Sequence, residues 1–60
     1  MANIIVSKER LSDGSYAPVL ILNDIYNPVI LHPNTFELAF ETAGMILEAT
    51  TDFHKIVDLT

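Results

Sequence analysis

The chain has 60 residues, of which half are apolar and 18% charged, with a net charge of −5 and no Cys. That length accommodates one domain, residues 1–60, which buries only about 60% of the surface its unfolded chain exposes, so the core is marginal unless assembly supplements it. The composition excludes disulfides, thiolate metal ligands, a thiol nucleophile and disorder, and three Lys plus Arg disfavour a phosphate-backbone partner.

The N-terminal run Met-Ala-Asn-Ile-Ile-Val-Ser-Lys lacks the basic segment of a secretory signal. No apolar run approaches the roughly 20 residues of a membrane span, so a cytoplasmic, soluble protein without membrane contact is expected. The first local signal is Ser12-Asp13-Gly14-Ser15. Asp-Gly between extended runs predicts a two-residue hairpin turn, because a type I′ turn needs positive φ at both central positions. That turn sets Leu11 opposite Tyr16, Lys8 opposite Val19, Val6 opposite Ile21 and Ile5 opposite Leu22. Pro18 then falls opposite Glu9, where its missing N–H predicts a bulge or a strand restart.

A second cluster of turn formers, Asn23-Asp24-Ile25-Tyr26-Asn27-Pro28, predicts pairing of Leu22 with Val29, Ile21 with Ile30 and Leu20 with Leu31. His32-Pro33-Asn34 ends that third strand, since the residue before Pro is held extended. Beyond it the apolar period becomes helical through Phe36, Ala39, Phe40, Ala43, Ile46 and Leu47. Asn34 or Thr35 is the N-cap, and Glu37 has capping-box spacing to Asn34. Gly44 either permits a close backbone approach or is a helix defect of about 1 kcal/mol. Thr50-Thr51-Asp52 weakens the helix, yet Phe53, Ile56 and Val57 follow i, i+3, i+4 spacing, which favours a kinked helical continuation over a fourth strand.

The expected fold is therefore α+β: a three-stranded antiparallel β-meander followed by one long or kinked C-terminal helix, a ββα-type small domain that oligomerises. In the predicted register one sheet face carries Ile5, Leu11, Tyr16, Leu20, Leu22, Val29 and Leu31. The other carries Ile4, Val6, Val19, Ile21 and Ile30, rimmed by Lys8, Arg10 and His32. One helix covers one face, and a second apolar line on it, Leu38, Met45, Ala49 and Ile56, asks for a further neighbour.

The expected function follows from that surplus of apolar surface. It is a small acidic, non-enzymatic protein-binding module, an inhibitor, adaptor or regulator of the kind found among bacterial or phage accessory proteins. It pairs with itself as a dimer and with another protein through Ile4, Val6, Lys8, Arg10, Val19, Ile21, Tyr26, Ile30 and His32. Tyr26, with Ile25 at the tip of the second turn, is either the aromatic anchor of that contact or folds back with Ile25 on the sheet end. No cofactor or metal is expected: His54 with Asp52 and Asp58 supplies too few ligands for a defined site. Two rival readings remain open. One is an oligomeric enzyme whose inter-subunit site draws on His32, Asp24, Tyr26 and the basic rim; the other is a dimeric nucleic-acid regulator using Lys8 and Arg10.

Overall fold

The computed structural model describes residues 2–23 and 28–60. The chain runs β1 (Ala2–Arg10), β2 (Tyr16–Asn23), β3 (Val29–Leu31), α1 (Phe36–Ala49) and β4 (Phe53–Asp58). The strands form one mixed sheet in the order β3-β2-β1-β4, with β1 antiparallel to β2, β2 antiparallel to β3, and β4 parallel to β1. This corrects the expected meander followed by a C-terminal helix. The chain after Thr50 is a fourth strand, and α1 is the crossover that returns it to the far side of β1.

The first hairpin departs from a type I′ turn at a single residue. Gly14 has φ +89°, but no other described residue has positive φ, so Asp13 does not take the left-handed conformation a type I′ turn requires. Gly14 N–H donates to the Leu11 carbonyl (3.1 Å) and Leu11 N–H to the Ser15 carbonyl (2.8 Å). The loop is thus three residues, Ser12 to Gly14: a type I turn closed by a left-handed glycine. Asp13 Oδ1 accepts from the Ser15 hydroxyl and from its N–H. Those two bonds, the hydroxyl first, hold the Asp13 carboxyl below the usual carboxylate range. What they contribute to the loop is therefore complete above that range and is lost as pH falls through the depressed value.

The extra loop residue slips the register by one. Val6 faces Leu20, Ile5 faces Ile21 and Ile4 faces Leu22, in place of the predicted partners. A one-residue slip moves every β1 side chain to the opposite face. Ile4 and Val6 now share a face with Leu20 and Leu22, and with Ala39 and Ala43 of α1 they form the fully buried core. Leu22, Ile46, Leu47, Phe53 and Ile56 pack around it.

Pro18 causes no bulge, for a reason that also ends β3. The Leu11–Ser15 pair is hydrogen-bonded, and bonded and non-bonded pairs alternate along an antiparallel ladder, so Lys8 and Pro18 form a non-bonded pair. The Pro18 nitrogen therefore points away from β1, towards β3. The pairing of β2 with β3 is the predicted one: Leu20–Leu31, Ile21–Ile30 and Leu22–Val29. Extending it by two residues would set Pro18 opposite Pro33, and neither can donate. The ladder stops at Leu31.

Helix α1 starts at Thr35, whose Oγ1 accepts from Leu38 N–H at 3.0 Å. Thr35 rather than Asn34 being the cap, Glu37 sits one residue short of the capping-box position and complements the helix dipole instead. The helix ends at Thr50, already extended at φ −142°, whose Oγ1 accepts from Asp52 N–H.

Strand β4 holds the feature that mimics a helix. Its register with β1 shifts between Ala2–Phe53 and Asn3–Lys55, leaving His54 as an extra residue. A bulge of this kind places Phe53 and Ile56, three positions apart, on the same side of the sheet.

Two glycine substitutions test this account with opposite signs. A Cβ at Gly14 meets nothing within 4 Å, so Gly14→Val is opposed by backbone conformation alone, which costs about 1–2 kcal/mol or more. The melting midpoint should fall by roughly 4–8 °C per kcal/mol in a chain this short. Gly44 is equally unobstructed and lies mid-helix, so Gly44→Ala should raise the midpoint by up to the equivalent of about 1 kcal/mol. A lower midpoint for Gly44→Ala would mean that another backbone approaches there.

Candidate interaction surface

Because α1 packs on β1, β2 and β4 from the side of Ile4, Val6 and Leu20, the opposite face of the sheet carries no layer among the described residues. The register assigns its side chains row by row. Ile30, Ile21, Ile5 and Val57 stand abreast on β3, β2, β1 and β4, an aliphatic belt across all four strands. Ile5, Ile21 and Val57 are half-buried by their neighbours, while Ile30 at the edge is 56% exposed. Asn23, Asn3 and Lys55 line one margin of the belt; Val19 and Ser7, then Ala17 and Glu9, lie beyond the other.

Polar groups flank the belt on both sides. Glu9 Oε1 and His32 Nδ1 approach to 3.9 Å from either side of β2, crossing it near Ala17 and Val19. Val19 is the one residue of the face that is buried. Both partners are largely exposed and the contact is an ion pair only when His32 is protonated, so it adds little stability. Asn3 Oδ1 is buried and has no hydrogen-bond partner among the described residues. A buried acceptor left so costs about 1–3 kcal/mol.

The predicted interaction residues divide. Val19, Ile21, Ile30 and His32 are on the open face. Ile4 and Val6 are not: the register slip puts them in the core, fully buried. Lys8 and Arg10 move with them to the helix side, where Lys8 Nζ lies 4.7 Å from the centre of the Tyr16 ring and 3.3 Å from the Thr60 carbonyl. The basic rim expected around His32 is thus split between two faces. Tyr26, Asp24, Ile25 and Asn27 lie outside the described residues. Sequence reasoning missed Ile5 and Val57, the first through the slipped register and the second because β4 was read as helix.

Elsewhere the titratable groups are engaged singly. His54 Nδ1 lies 3.1 Å from the Ala2 carbonyl, which can only accept. Asp58 Oδ1 accepts from the Thr60 hydroxyl and N–H, bonds that hold its carboxyl below the usual range. Among the described residues no three His, Asp or Glu side chains gather as metal ligands, and no helix is long and apolar enough to cross a membrane. On α1, Leu38, Met45 and Ala49 are exposed, Met45 at 70%, whereas Ile56 belongs to β4 and packs on the core.

Both sheet edges resist strand addition. β3 is three residues long between Pro28 and Pro33, and β4 carries a bulge and Lys55, devices that discourage edge pairing. The open face is left as the larger approach. No known protein family, curated protein or solved structure matches the chain.

Charge substitutions should separate the two faces. Val6→Lys buries an unpaired ammonium at a position with no exposure, a penalty of several kcal/mol that rivals the stability of a small domain. Far-UV circular dichroism should show it unfolded. Ile21→Glu, on the open face, should keep the wild-type spectrum, and an unfolded Ile21→Glu protein would mean that this face is the interior.

Proposed function

We propose that the chain is a small cytoplasmic, non-enzymatic protein-binding module, an inhibitor, adaptor or regulator that acts by presenting the belt of Ile30, Ile21, Ile5 and Val57 to another protein surface. One observation carries the reading: four aliphatic side chains stand in register across the whole sheet with no layer over them. Fully burying an aliphatic side chain contributes about 1.5–3 kcal/mol, so covering the exposed parts of four is a substantial fraction of what a specific complex requires. A net charge of −5, with Lys55 on one face and Lys8 and Arg10 on the other, favours a protein over a nucleic acid as the partner.

Affinity capture from the native host with wild-type and Ile21→Glu chains tests this directly. The proposal predicts a stoichiometric protein, this chain or another, that wild type retains and Ile21→Glu loses while staying folded. Identical capture by both chains would remove the belt as the binding surface.

A further inference from the structure

We infer that the belt is covered by a second copy of this chain, stacked face to face with its strands antiparallel, about a twofold axis that runs along the belt. The inference rests on the belt being a docking surface and adds the identity and orientation of the occupant.

The charges that flank the belt are complementary under this axis. Lys55 and Asn3 lie on the margin towards the start of β1, and Ser7 and Glu9 lie on the margin towards its end. A copy turned over about the belt lays each belt on the other and exchanges the margins. Asn3 then faces Ser7 of the second copy. Lys55 comes within one strand and two residues of Glu9 of the second copy, within reach of two long side chains. An isologous interface makes each of these contacts twice.

The competing twofold axis, parallel to the strands, maps each margin onto itself. It stacks β1 on β2 of the other copy and sets the two Glu9 carboxylates on adjacent strands, with Lys55 far from either. Like charges so close oppose association, so charge complementarity selects the axis along the belt. Aligned sheet packing tolerates about 30° between strand directions, which accommodates the twist of the sheets.

Sedimentation equilibrium of folded wild type, Lys55→Glu and Glu9→Lys, alone and mixed, tests the inference. Wild type should dimerise, and each variant should raise the dissociation constant by about ten-fold. An equimolar mixture of the two variants should recover wild-type affinity within about three-fold, because the heterodimer restores two opposite-charge contacts. Within one chain the two positions are about 20 Å apart, so recovery cannot arise intramolecularly. A net-charge effect alone would move the two variants in opposite directions, because one makes the acidic chain more acidic and the other less. A monomeric wild type at millimolar concentration overturns the second copy as occupant. A dimer indifferent to both substitutions, or one that the mixture does not rescue, overturns the orientation. In each of these cases, loss of capture by Ile21→Glu still decides whether the belt binds a protein at all.

Discussion

The three-residue hairpin loop, with φ positive at Gly14 and negative at Asp13, is the constraint on which the other features depend. With φ at +89° on Gly14 and negative φ on Asp13, the hairpin loop contains three residues, and the register of β1 against β2 follows. That register decides which β1 side chains lie under the helix. Ile4 and Val6 meet Leu20, Leu22, Ala39 and Ala43 in the only combination that gives this small chain a dry interior, while Ile5 joins Ile21 on the outside. Shifted by one residue, the same strand would bury Ile5 beside Asn3 and Ser7, and a core with one aliphatic and two polar groups could not hold the helix.

From the hairpin outward, the sheet is shaped by residues that cannot pair. Pro18 is harmless to β1 because its nitrogen faces the other way, and with Pro33 it limits β3 to three residues. The bulge at His54 keeps Phe53 and Ile56 on the core side while Lys55 and Val57 project from the other. Two blunted edges and one covered face leave the belt side as the open face of the sheet, while Val29 and Leu31 of β3 and Leu38, Phe40 and Met45 of α1 are exposed elsewhere. Among the described residues no second helix lies over the belt. The functional proposal is a consequence of that arithmetic of layers.

Much of this was legible in the sequence, and what was not has identifiable physical causes. The start of the helix announced itself through its 3.6-residue period and a cap at Asn34 or Thr35, though not its end at Ala49, and the pairing of β2 with β3 followed from turn formers and Pro33. The Asp-Gly dipeptide, by contrast, suits a two-residue loop and a three-residue loop equally well. Only the sign of φ at Asp13 separates them, and composition does not encode it. Strand β4 was hidden because a bulge stretches same-face spacing from two residues to three, so Phe53 and Ile56 take the i, i+3 spacing of a helix and Val57, on the other face, completes the pattern. Half of the candidate surface was therefore assigned correctly, on β2 and β3, and the other half, on β1 and β4, was exchanged or lost.

The register of the first hairpin is the claim from which the core, the open belt and the proposed partner all derive, and proton NMR reads it directly. Residues facing each other in non-hydrogen-bonded antiparallel pairs bring their Cα atoms to about 4.5 Å, close enough for strong Hα–Hα cross-relaxation. The structure predicts such contacts between Val6 and Leu20 and between Ile4 and Leu22. Hα–Hα contacts between Ser7 and Leu20, or between Ile5 and Leu22, would show the two-residue turn to be the real one and would put Ile4 and Val6 on the open face.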